Sequence, residues 1–157
     1  MTRTKNAGVA RQQGFTLIEL MVVVAIAAVL ATIMTSSYQS QVRKSRRTEA
    51  RMAVLDLASR EERFLSTANT YTKTTTDVGY SGPFPVTVGA GYYTLTINTP
   101  DPVFVAAGGK TPSYIITATA IGQQLKDTQC RTFTVTQLGT QAATDAGGAD
   151  STATCWN

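Results

Sequence analysis

The chain has 157 residues, 43% of them hydrophobic, enough for one domain once a long apolar run near its start is set aside. Its 14 Lys and Arg outnumber its 10 Asp and Glu, and the net charge of +4 invites an anionic partner, headgroups or nucleic acid. With no histidine there is no His-based triad, proton shuttle or imidazole metal site, and two cysteines 25 positions apart make no CxxC motif, so an enzyme is not expected.

Residues 1–14 hold Arg3, Lys5 and Arg11, no acid and no apolar run, the pattern of a short basic leader that is cleaved off. An ordinary secretory signal would be cut beyond the apolar stretch. Ala25-x-Ala27 would allow that formally, but an acid inside the apolar region counts against it.

The run 15–34 carries one charge, Glu19, and is apolar on every side. As a helix it spans about 30 Å, the thickness of a bilayer's hydrocarbon core. Such a helix belongs in lipid or in the middle of an assembly. Two readings of Glu19 stand: an acid near a helix end that reaches the headgroups, or an acid with a partner cation. A cut between Gly14 and Phe15 would create that cation, because the new α-amino group has a pKa of about 8. Arg3, Lys5 and Arg11 precede the run and Arg43, Lys44, Arg46, Arg47 and Arg51 follow it, so loop charge does not set the orientation.

Over 35–66 there is no Gly or Pro, and Tyr38, Val42, Ala50, Val54, Leu57, Ala58, Phe64 and Leu65 recur at spacings near three and four. The helix is therefore expected to continue, with one apolar stripe. Glu49, Asp56, Glu61 and Glu62 interleave with the basic residues as on a solvated face. The knot Arg43-Lys44-Ser45-Arg46-Arg47 suits anionic headgroups or nucleic acid, and its plainer reading is a solubilising face.

Residues 67–91 read as an irregular connector punctuated by Gly79, Gly82, Pro83, Pro85, Gly89 and Gly91. From 92 to 157 the period changes to two. Tyr93, Leu95 and Ile97 alternate with Thr94, Thr96 and Asn98; 113–121 gives a second strand and 132–136 a third, with turns at Pro100-Asp101-Pro102 and Gly108-Gly109. Short strands with brief links predict an antiparallel meander whose apolar face the amphipathic half of the helix covers.

Cys130 and Cys155 read as free core thiols in a cytosolic protein and as a disulfide in an exported one. Asp145 and Asp150 are two acids in a Gly- and Ala-rich loop, better suited to solvent than to a cation. Gly108-Gly109-Lys110-Thr111 fails as a phosphate loop because Phe104 stands where the first glycine is needed. No metal or other cofactor is expected.

Gly14-Phe15-Thr16-Leu17-Ile18-Glu19-Leu20 followed by an apolar helix resembles the prepilin signature of type IV pilins and of the related secretion pseudopilins. The resemblance implies cleavage after Gly14 by a prepilin peptidase, N-methylation of Phe15, and pairing of Glu19 with a neighbouring subunit's N-terminus during assembly. Many pilins carry a Gly and a Pro in this helix; Ala28 and Ser36 stand there instead, which predicts a straighter helix. Asp127-Thr128-Gln129-Cys130-Arg131-Thr132-Phe133-Thr134-Val135, Gly139 and Cys155-Trp156 are similar to the last strand and disulfide-bounded loop of type IVa minor pilins of the PilE and ComP type, and Ala68-Asn69-Thr70-Tyr71-Thr72 fits that branch.

The expected architecture is α+β: a leader (1–14), an N-terminal helix (15–66, membrane-spanning over 15–34 and amphipathic over 35–66), a connector (67–91), and an antiparallel sheet of three to four strands with a C-terminal disulfide loop (92–157). The expected role is a structural, minor subunit of a type IV pilus, partnered by other pilins, the prepilin peptidase and the inner membrane. The resemblance implies a final place on the surface of a Gram-negative bacterium, serving adhesion, twitching motility and pilus biogenesis. A DNA-binding minor pilin and a type II secretion pseudopilin are the alternatives. Charge counts against DNA: residues 67–157 hold four Lys and Arg against five acids, although Lys110, Lys126 and Arg131 could still cluster.

Overall fold

The structure, a computed structural model, describes residues 14–99, 103–104 and 110–157, with the backbone alone at 35–36, 103–104 and 110–111. The leader before Gly14 and the turns expected at 100–102 and 108–109 lie outside the described residues.

Helix α1 runs Leu17–Ala68 and stops where Asn69 turns left-handed (φ 55°), its N–H still reaching the Leu65 carbonyl at 2.8 Å. The chain divides into two compact units between Gln39 and Ser40. In the first, α1 is long and apolar enough to cross a membrane, and none of its apolar window is buried.

In the second unit, strands β1 (Val86–Val88) and β2 (Tyr93–Asn98) precede a two-stranded ribbon of β3 (Val103–Phe104) and β4 (Lys110–Thr111), followed by β5 (Ile115–Ala120), β6 (Thr132–Thr136) and β7 (Gln141–Thr144). The main sheet has the order β1-β2-β5-β6-β7 and is antiparallel throughout. Because side chains alternate across a strand, one register row puts Leu95, Ala118, Phe133 and Ala143 side by side in the core. The row displaced by one residue is Thr87, Thr94, Thr119, Thr132 and Thr144, on the other face.

The helix meets this core through Arg47, Ala50, Val54, Leu57 and Glu61, all buried and spaced three, four, three and four. The apolar stripe therefore holds at its centre. Two corrections apply at its ends. Tyr38 is 71% exposed, and Arg47 and Glu61, read as solvated, lie inside. Each buried charge has a partner distant in sequence. Arg47 donates from Nε and Nη2 to the two carboxylate oxygens of Asp127 at 2.7 and 2.8 Å, and Nη2 also reaches Gln129 Oε1 at 3.1 Å. Gln124 Nε2 donates to Asp127 and to the Arg43 carbonyl. At the other end Glu61 accepts the Thr72 N–H at 3.1 Å and holds down the start of the connector.

The sheet has more strands than the three or four expected. β1 lies in the stretch read as irregular, which also forms a 3-10 turn at Thr75–Val78 that buries Val78. β7 lies inside the cysteine-bounded loop. The Cys130–Cys155 disulfide closes that loop, and Trp156 Nε1 donates to the Ala142 carbonyl at 2.9 Å while its ring packs on Phe133. Closing a loop of 25 residues' separation stabilises by roughly 3–4 kcal/mol in the chain-entropy model.

Asp127→Asn is expected to cost about 3–5 kcal/mol, because it strands the Arg47 charge in the interior, whereas Arg47→Met with Asp127→Leu recovers most of that loss. Urea unfolding followed by the single tryptophan, Trp156, measures both. Burial pushes the Glu61 carboxyl above its ordinary value, the Thr72 N–H pulls it back, and the Asp77 and Glu62 charges push it further up. The stability this group contributes is complete below the ordinary glutamate range and is lost as pH rises through the shifted value. Glu61→Gln is therefore expected to unfold at higher urea than the wild type near pH 7, with the gap closing toward about pH 4.

Candidate functional site

Two regions carry function, one in each unit. In the first unit the chain from Gly14 to Thr16 precedes the helix without regular structure, and the apolar side chains there stand open: Phe15 is 85% exposed, and Leu17, Ile18, Leu20 and Met21 are exposed with it. Thr16 caps the helix. Its Oγ1 accepts the Glu19 N–H at 3.3 Å, and its carbonyl accepts the Leu20 N–H. Thr16-x-x-Glu19 is a capping-box spacing, a signal present in the sequence that membrane length alone does not reveal.

Glu19 thus sits at the third helical position, where the aligned N–H groups favour a carboxylate. Among the described residues no Lys or Arg pairs with it. The geometry leaves an anion, surrounded by exposed apolar side chains, one turn from Phe15. A cation delivered by another molecule could meet it there.

In the second unit the interest is charge. The first half of the amphipathic helix meets the segment between β5 and β6, a 3-10 turn at Gly122–Lys126 followed by Asp127 and Gln129. Arg46 stacks on the Tyr92 ring with its guanidinium carbon 3.5 Å from the centroid, and its Nη2 donates to the Tyr92 hydroxyl. Arg51 donates to the Asn157 backbone oxygen at 3.0 Å and to Thr48 Oγ1 at 3.3 Å. Arg131 donates to the Leu125 carbonyl, which brings it beside Lys126; the side chain of Lys110 is outside the described residues.

Cations separated along the sequence therefore gather at one end of the sheet. Arg43, Lys44, Arg46, Arg47, Arg51, Lys126 and Arg131 stand there, and the nearby acids are already engaged. Asp127 is held by Arg47, and Glu49 accepts the Ala90 N–H at 3.1 Å. At the opposite end Asp56, Glu61, Glu62 and Asp77 stand with Arg60 and Arg63, the Arg60–Asp56 pair at 2.8 Å. A count by sequence segment averages over this division.

A cleft opens at the basic end. It has a volume of about 410 Å³ and is lined by Lys44, Arg47, Arg51, Gln129, Thr154, Cys155 and Asn157. The disulfide holds its outer wall in place by tying Cys155 to Cys130.

Asp145 and Asp150 do not converge on a common point. Asp145 Oδ1 accepts the N–H groups of Gly147 and Ala149, and Asp150 Oδ1 accepts the N–H and hydroxyl of Thr152, whose hydrogen bonds hold its carboxyl below the usual value. Both carboxylates are occupied in shaping their own loop.

A family model described as type IV minor pilin ComP, DNA uptake sequence receptor, matches residues 36–134, and one described as the prokaryotic N-terminal methylation motif matches residues 9–35. The first spans the amphipathic half of α1 through most of β6; the second spans Gly14, Phe15 and Glu19. No curated protein matches the chain.

Proposed function

Because this chain belongs to the family of type IV minor pilins of the ComP type, we propose that it is a structural, non-catalytic subunit of a type IV pilus whose basic end engages DNA during uptake. The observation that carries the DNA part is the gathering of seven cations at one end of the second unit, with the nearby acids Asp127 and Glu49 already bonded within it. Filament assembly serves adhesion and twitching as well as uptake, and the basic end favours uptake.

In this reading a prepilin peptidase cuts after Gly14 and Phe15 receives the methyl group. The apolar half of α1 anchors the subunit in the inner membrane until it joins other pilins in a filament on the surface of a Gram-negative bacterium. The new α-amino group of one copy, cationic with a pKa of about 8, meets the Glu19 carboxylate of its neighbour. Moving that pair among apolar side chains strengthens their attraction, and the rest of the run is covered by lipid or by other helices. The exposed apolar surface on 15–34 and a Glu19 that has no Lys or Arg partner among the described residues support this division of labour.

Phosphate contacts supply most of the affinity of a protein for DNA and fix its position on the strand. Clustered guanidinium and ammonium groups, with an Arg stacked on Tyr92, suit that task.

Cells lacking the protein are expected to keep filaments and to lose uptake of labelled duplex DNA; uptake at the parental level contradicts the DNA role. Glu19→Ala is expected to be inserted and cleaved yet to enter sheared filaments at about a tenth of the wild-type level or less, the result of removing one member of a buried ion pair. Immunoblots of sheared filaments and of membranes measure this, and normal incorporation would rule out the pairing. Gly14→Leu is expected to leave the full-length form as the only species on a gel, whereas a processed band of normal mobility would refute the cleavage site.

A further inference from the structure

We propose that the cleft beside the disulfide is a phosphodiester seat, in which Lys44 and Arg51 grip the sugar–phosphate backbone of DNA; this deepens, and rests on, the DNA-uptake reading above. Three observations converge on it. The cleft is walled on one side by three cations of α1, Lys44, Arg47 and Arg51, and on the other by Gln129, Thr154 and Asn157. Lys44 and Arg51 lie seven residues apart on one helix, nearly two turns, so they stand on one face about 10 Å apart along the axis. Arg47 lies between them and is fixed.

The fixing of Arg47 matters. Asp127 takes its Nε and Nη2, and Gln129 shares Nη2, so the guanidinium cannot swing away; Nη1 makes no hydrogen bond among the described residues. A cation held in place by the fold loses less side-chain freedom when an anion arrives. Arg51 is steadied in the same way by the Asn157 oxygen at 3.0 Å and Thr48 Oγ1 at 3.3 Å. No Asp or Glu lines the cleft.

Size decides what enters. About 410 Å³ is too small to enclose a duplex and ample for one sugar–phosphate unit. The lining, three cations with Gln129, Thr154 and Asn157, is a set of groups suited to phosphate oxygens. The seat therefore adds affinity that is independent of base sequence and leaves sequence discrimination to other contacts. An anionic lipid headgroup has the same charge; Lys44, Arg47, Arg51 and Gln129 fall within the stretch matched by the DNA uptake sequence receptor family, and DNA is the partner we assign.

The test uses full-length protein in a neutral detergent and a fluorescein-labelled mixed-sequence duplex, with anisotropy titrations from about 50 to 200 mM NaCl. Lys44→Gln with Arg51→Gln is expected to weaken binding about tenfold and to flatten the slope of log affinity against log salt by about two, equally for unrelated duplex sequences. Lys73→Gln, outside the basic end, is expected to leave both quantities near wild type. If the wild type binds and the double variant matches it in affinity and slope, the seat is wrong while the DNA-uptake reading stands. If Lys73→Gln weakens binding as much as the double variant, overall charge and not the cleft is responsible, and the seat is again overturned. If the wild type binds no duplex at the lowest salt, the DNA-uptake reading itself fails. A parallel titration with phosphatidylglycerol vesicles separates the lipid case: loss of vesicle binding alone by the double variant reassigns the cleft to headgroups and overturns the proposal.

Discussion

Apolar surface that a chain cannot cover must be covered by something else. Residues 15–34 present such a surface, exposed all along α1, with none of the apolar window buried. At roughly 25 cal/mol for each Å² withdrawn from water, side chains of this number drive insertion into lipid or packing against other helices far more strongly than any single polar contact opposes it. Everything distinctive about the first unit follows from that imbalance. The helix must begin cleanly, which Thr16 arranges by capping it, and its single charge must find a use, which the position of Glu19 beside Phe15 provides.

The same helix obeys the opposite rule in the second unit. There it buries only one stripe, Ala50, Val54 and Leu57, against Tyr93, Leu95, Ile116 and Phe133 of the sheet. Polar residues close the stripe at each end and give it a register. Arg47 can fit only where Asp127 and Gln129 await it, and Glu61 only where Thr72 offers its N–H. A sliding helix would lose both, so the pair of buried charges specifies where the helix sits while the apolar residues supply most of the driving force. The basic end is a consequence: with Arg47 anchored to Asp127, its neighbours Lys44, Arg46 and Arg51 are held at the margin of the sheet, alongside Lys126 and Arg131.

Much of this was legible in the residues. Strand alternation marked β2 at Tyr93–Asn98 and β6 at Thr132–Thr136 because each has a strict two-residue period with Thr facing outward. The methylation-type N-terminus was legible because glycine, phenylalanine, acid and apolar run occur together. Other features were not, for physical reasons. Arg47 and Glu61 continue the helical spacing of the stripe, but a charge at such a position is buried only if a partner exists, and their partners lie 80 and 11 positions away. β1 has three residues and β7 has the weakly strand-forming Gln-Ala-Ala-Thr; both are held by the neighbour they pair with, and β7 by the Trp156 indole as well. The basic end escaped a count by segment because its cations come from the helix and from the β5–β6 link, which only the fold brings together.

The central claim is that a bare apolar helix, freed at Phe15, meets the acid of an adjoining copy. Intact-mass and N-terminal fragmentation mass spectrometry of the protein sheared from cells tests it most directly. The account predicts a chain that starts at Phe15 and carries one methyl group on its α-nitrogen. A chain that still starts at Met1, or one cut after Leu30 beyond most of the apolar run, would contradict it.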